Sequence, residues 1–200
     1  MDKKRQVTRG TWYLILTGGI AVGLVIGLIA LQPFGSPLNW FIRGMASLGY
    51  LTIFLTIISS AYMKQIYRIL GRPFVKAHHI LSVAGLLLIT LHPIGVAVQD
   101  ARPAVLLPRF ESWGDFLRWG GAPAWYLIGA ASLAAVLRKA IGRGWRLVHV
   151  LNYIAFALAT IHATQIGSDF QRLGTKVLAI ILASIVVATF IQKRLQRKAS

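Results

Sequence analysis

Cysteine is absent from the 200 residues. That excludes disulfides, thiolate-bound metals and thiol catalysis, and leaves histidine as the natural metal ligand. Acidic residues are nearly as scarce, five against 22 lysines and arginines. None of the five falls inside a long apolar run, so a proton relay built on buried carboxylates lacks its usual parts. Charged residues of both signs reach only 14%, well below the roughly 25% of a soluble domain.

What is present is apolar. Hydrophobic residues make up 56% of the chain and the mean hydropathy is +0.64, with the charges gathered between long uncharged runs. This is the pattern of a multi-pass membrane protein. A net charge of +17 would suit a nucleic-acid binder, but the basic residues sit at the ends of apolar runs, so no nucleic acid is expected.

Six spans are expected, at about residues 11–31, 44–63, 74–98, 120–137, 145–166 and 174–192, forming one all-α domain over residues 1–200. The first follows Lys3, Lys4, Arg5 and Arg9 and is longer than the roughly 7–15 apolar residues of a signal peptide. It carries Gly19, Gly23 and Gly27 on one face, a stripe that permits close helix approach. Gln32–Arg43, with Pro33, Gly35, Ser36 and Pro37, reads as a short turn, and Gln99–Trp119 as the longest connection.

Orientation follows from the lysine and arginine bias of short loops. The N-terminus, the second–third loop (Lys64, Arg68, Arg72, Lys76), the fourth–fifth loop (Arg138, Lys139, Arg143, Arg146) and the tail (Lys193, Arg194, Arg197, Lys198) carry four each. The opposite side holds six, Arg43, Arg102, Arg109, Arg118, Arg172 and Lys176, together with Asp100, Glu111, Asp115 and Asp169. Both termini are therefore expected in the cytoplasm and the protein in the plasma (inner) membrane. All six tryptophans fall at or near expected interfaces, Trp12 and Trp145 inside and Trp40, Trp113, Trp119 and Trp125 outside.

The five histidines all lie in two apolar stretches, AHHILSVAGLLLITLHP (Ala77–Pro93) and WRLVHVLNYIAFALATIH (Trp145–His162). An ionisable side chain is expensive in hydrocarbon and marks a functional site. His78 and His92 are 14 residues apart, about 21 Å of helix, and His149 and His162 are 13 apart, about 20 Å. One metal cannot take both histidines of a helix, so pairing must run across helices, level by level. Fourteen steps of about 100° return to within roughly 40° of the starting face, whereas thirteen miss by about 140°. His78 therefore shares a face with His92, and His79 is the alternative. The thirteen-step pair in the fifth span calls for a π-bulge, a tilt or different ring orientations.

Packed or interfacial histidines account for any one of these residues, but poorly for four at matched depth. A zinc site is incomplete with two imidazoles per level, and a proton-coupled transporter or channel is the rival of a different class. Haem fits best: two axial imidazoles fill both open positions of the iron and favour electron transfer over ligand activation. The inner haem is expected on His78 and His149 and the outer on His92 and His162. Propionates would be neutralised by Arg72, Lys76, Arg143 and Arg146 inside, or Arg109, Arg118, Arg172 and Lys176 outside. Pro93 is expected to loosen the helix beside His92.

The two histidine stretches within six spans resemble the ferric reductase-like transmembrane domain over about Gly44–Gln192. That superfamily includes ferric reductases, NADPH oxidases and the haem-binding subunit of bacterial methionine sulfoxide reductase (the MsrQ family). The resemblance implies two b-type haems on His78, His92, His149 and His162, with electrons passing from the cytoplasm to an outer acceptor. RKAIGRGWRLVHVLNYIAFALATIH is similar to the corresponding segment of the MsrQ family. No Gly-rich dinucleotide fingerprint follows the last span before Ser200, so a stand-alone haem subunit is expected. Two features look more like ferric reductases: histidine at position 78, where the MsrQ family typically has arginine, and the ending HATQIGSDF. The implied donor is a cytoplasmic flavin reductase or a quinol, with a flavin or quinone at the junction. The implied acceptor is a molybdenum-containing sulfoxide reductase partner, ferric iron or oxygen.

Overall fold

The computed structural model describes residues 35–70 and 73–198, together with nine single positions between 12 and 30. Among the described residues the fold is all-helical. Its helices are α1 (Pro37–Ala61), α2 (Met63–Leu70), α3 (Pro73–Gln99), α4 (Trp113–Arg118), α5 (Gly121–Val136), α6 (Arg138–Ile141), α7 (Trp145–His149), α8 (Leu151–Ile166) and α9 (Leu173–Lys198).

Local chemistry explains where these rods begin and break. Ser36 caps α1 by accepting the Asn39 N–H at 3.2 Å, and Pro37 occupies the first turn, where its missing N–H is harmless. The Ser-Pro pair is therefore a helix start and not part of a turn, and Arg43 is carried into the bundle. Ser112 caps α4 in the same way, accepting the Asp115 N–H at 3.0 Å and donating to the Asp115 carboxylate at 2.7 Å. α3 runs unbroken through Pro93. α7 stops at His149, and one residue, Val150, separates it from α8.

Among the described residues three helices are long and apolar enough to cross a membrane: Pro37–Ala61, Lys76–Gln99 and Leu173–Gln196. The count reaches four if Gly121–Val136 and Arg138–His149, bent by 78°, form one broken span. The chain is a multi-pass membrane protein, but the expected six spans are not formed among the described residues. The first expected span lies mostly outside the described residues. The fourth and fifth are reduced to helices of 16 residues each, α5 and α8, about 24 Å against a hydrocarbon core of about 30 Å. The chain bends by 78° after Val136, and Val150 interrupts the helical run between α7 and α8. Hydropathy counts residues, whereas a span needs an unbroken rod.

The surface agrees with burial in lipid. α3 exposes Ile80, Val83, Leu87, Leu91, Ile94 and Val98, and α9 exposes Val177, Ile180, Ile181, Ile185 and Ile191. A soluble helix would place charge on those faces. Inside, the tightest positions are small: Ala131, Ala155 and Ala179 are fully buried, with Phe156 and Val186 the bulkiest side chains sealed in. Small contact residues let helices approach where lipid supplies no hydrophobic drive between them. The expected approach at Gly19, Gly23 and Gly27 is not made among the described residues, since a Cβ at each meets nothing within 4 Å.

α1 packs chiefly on α3, and α8 lies against α5, α9 and α1. The α1–α3 contact is close because Gly95 leaves a notch for Ile42. A Cβ on Gly95 would lie 2.7 Å from Ile42 Cγ1. Gly95→Ala is therefore expected to lower stability by about 1–3 kcal/mol through overpacking, read as a lower thermal midpoint in detergent.

Candidate functional site

Two histidine couples lie within electrostatic reach of each other across the bundle. His78 of α3 lies near enough to His149 of α7 for charge on one ring to be felt at the other. His92, further along α3, stands in the same relation to His162 of α8. His79 is exposed, and its ring centroid is 6.0 Å from that of His78. The residues expected to pair, His78 with His149 and His92 with His162, are thus near one another, and His79 lies on the exposed side of α3.

The angular mismatch of the thirteen-residue spacing is reduced at Val150. Its N–H is shared between the Arg146 and Leu147 carbonyls, both at 3.3 Å, and its own carbonyl accepts the Tyr153 N–H at 3.0 Å. The bonds joining Val150 to Leu147 and to Tyr153 are i→i+3 contacts of a tightened turn, that to Arg146 is the ordinary i→i+4 bond, and none is the i→i+5 bond of a π-bulge. One such turn advances the chain by about 120° per residue, adding roughly 60° in the direction that brings His162 back toward the face of His149. Asn152 caps the break, its Nδ2 donating to the His149 carbonyl at 3.0 Å.

Ring orientation is set by backbone carbonyls from neighbouring elements. His92 Nδ1 meets the Ile42 carbonyl at 3.2 Å, His149 Nδ1 the Ala131 carbonyl at 3.2 Å, and His162 Nδ1 the Arg118 carbonyl at 3.0 Å. A carbonyl only accepts, so each Nδ1 carries the proton and each Nε2 keeps its lone pair. Asn152 Nδ2 also comes within 3.4 Å of His149 Nδ1, an approach of two donors that adds no bond. Metal-ligating histidines characteristically donate their second nitrogen in this way, which fixes tautomer and ring plane. None of the three Nε2 atoms makes a hydrogen bond among the described residues. The fourth ring differs: His78 Nδ1 is buried and makes no hydrogen bond among the described residues.

Among the described residues no three histidine or carboxylate side chains converge as a metal site. Each level therefore offers two imidazoles and nothing else. That donor set fits an iron whose other four positions are filled by a macrocycle, and does not complete a tetrahedral zinc site.

The expected propionate partners are dispersed. Arg72 lies outside the described residues, and Lys76, Arg143 and Arg146 are exposed. Arg146 sits over the Trp145 ring at 5.9 Å, and Trp145 is 5.5 Å from the His149 ring. Arg109 lies over Trp119 at 4.4 Å. At Arg118 it is the main-chain carbonyl, not the guanidinium, that reaches the site.

Four features escape the sequence reading. The carbonyl acceptors carry no side-chain signal at all. Asn152 had one, a lone amide three residues after His149 in an apolar run. Gly121 packs so closely on His162 that a Cβ there would lie 2.8 Å from Nε2. Finally, Arg43 and Asp169, expected as orienting charges in outer loops, form a buried ion pair in which Arg43 Nε donates to Asp169 Oδ1 at 2.9 Å.

Comparison with known protein families, with curated proteins and with solved structures finds no match to this chain.

Proposed function

We propose that the chain is a transmembrane b-type cytochrome that passes electrons through two haems, one on His78 and His149 and one on His92 and His162. The observation that carries this reading is the pair of cross-helix histidine couples, in which three rings are locked by a carbonyl at Nδ1 with Nε2 left free. A haem held by His78 and His149 at one level and by His92 and His162 at the other would supply one-electron chemistry.

The protein's own residues hold and orient. Ile42, Ala131 and Arg118 fix ring planes through their carbonyls. The apolar faces of α3 and α8 keep water from the space between levels, which bears on redox potential. The resemblance to the ferric reductase-like superfamily points the same way. Positive-inside asymmetry puts the His78–His149 end in the cytoplasm of a plasma membrane, with both termini on that side. Lys64, Arg68, Arg138, Lys139, Lys193 and Arg194 then offer a basic surface to a flavin reductase or quinol donor. The acceptor lies outside: a sulfoxide reductase partner, or ferric iron or oxygen if the chain serves with a separate flavoprotein. The reading requires α3 and α8 to hold the pairs, and does not depend on a count of six spans.

A proton-coupled transporter or channel remains the rival of another class, and the buried Asp169 is the observation in its favour. Asp169 is tied to Arg43, however, and is not set between the histidine levels as a relay group. Purified full-length protein decides between them. Dithionite-reduced samples are expected to show a sharp low-spin b-type α-band, with about two haems per chain by pyridine haemochrome. Colourless protein from haem-replete cells would sink the cytochrome.

A further inference from the structure

Arg43 and Asp169 are each 7% exposed, and join α1 to the turn that follows α8 across 126 residues. Arg43 Nε and Nη2 both reach Asp169 Oδ1. Two charges removed from water gain little net stability from each other, and a well-packed apolar pair commonly does as well. Stability alone is a weak reason for such a pair in an apolar bundle, so its location is what matters.

Each partner is joined through the chain to the segment that carries or orients one ring of the outer couple. Arg43 directly follows Ile42, whose carbonyl accepts the His92 Nδ1–H and whose side chain fills the Gly95 notch one turn along α3. Asp169 lies in the 3₁₀ turn Ser168–Phe170, entered straight from the end of the helix that carries His162. That turn is itself pinned. Thr175 Oγ1 donates to the Asp169 carbonyl at 2.7 Å, and Phe170 packs edge-on against Tyr50 of α1 at 5.7 Å. The inner couple, supported by Ala131 and the Val150 break, has no comparable tie among the described residues.

We propose that the Arg43–Asp169 ion pair is the positioning element of the His92–His162 couple, holding the α1 carbonyl behind one ring and the α8 terminus behind the other in a single register. The proposal rests on the two-haem reading for its consequence, but the ring placement it asserts is testable without haem. Neither residue touches the reacting group; both act through the histidines.

The test uses the full chain with Arg43→Met and Asp169→Leu combined, which removes both charges together and avoids stranding one. Asp169→Asn, which keeps an acceptor opposite Arg43 Nε, serves as the second variant should the first not fold. Outer haem is expected to be retained about tenfold less tightly, with a shifted potential and altered low-spin resonance for that haem alone. In haem-free protein, His92 is expected to react faster with diethyl pyrocarbonate while His149 is unchanged. Equal changes at both levels, or none at either, overturn the proposal. Wild-type protein that binds no haem would defeat the cytochrome reading alone, and the His92 reactivity would still decide the role of the ion pair.

Discussion

His149→Ala is expected to take the chain from about two haems to about one, with the outer haem spectroscopically intact. The two levels are separated by roughly 20 Å of helix and share no ligand, so loss of one imidazole does not reach the other couple. His78→Ala is expected to give the same product, because both rings serve one iron. His79→Ala should keep both haems, since that side chain is exposed on another face of α3. Pyridine haemochrome against protein concentration measures the stoichiometry. Low-temperature spectra of the reduced protein identify which haem remains. Loss of the inner haem in His79→Ala but not in His78→Ala would reverse the assignment of the inner ligand.

Gly121→Ala is expected to expel the outer haem through a single methyl group. A Cβ at this position would lie 2.8 Å from His162 Nε2, 2.9 Å from Cδ2 and 3.0 Å from Cε1, so the ring must leave its place. It would then forfeit the hydrogen bond that Nδ1 donates to the Arg118 carbonyl at 3.0 Å. Alanine is the better helix former by about 0.5–1 kcal/mol, so the substitution does not weaken α5 itself. The loss is thereby confined to the ring. Gly129→Ala on the same helix is the matched control: its Cβ meets nothing within 4 Å, and both haems should stay. Equal haem content in the two variants would show that His162 does not need the place it occupies.

Much of the candidate site was legible because it is written in side chains whose presence in hydrocarbon demands a reason. Five histidines confined to two apolar stretches announce themselves, and the fourteen-residue arithmetic selects His78 over His79. The fifth-span spacing was legible only as a difficulty. Its resolution at Val150 depends on a tightened turn that no residue type there specifies. Asn152 was readable as an oddity but not as a cap. In sequence Arg43 and Asp169 look like loop charges, since each lies just beyond the end of an apolar run. Recognising Ser36–Pro37 as an N-cap followed by a first-turn proline would have drawn Arg43 into the bundle.

The sequence by itself determined an apolar, multi-pass helical chain with cationic segments between its rods and all five histidines in two apolar stretches. Those properties follow from composition and period, which are local and additive along the chain. The number of unbroken spans, the carbonyls that orient three imidazoles, the glycine beneath His162 and the burial of Arg43 with Asp169 were decided only in the tertiary structure. Each depends on which backbone atoms from distant segments meet. A carbonyl is identical in every residue until another helix arrives beside it.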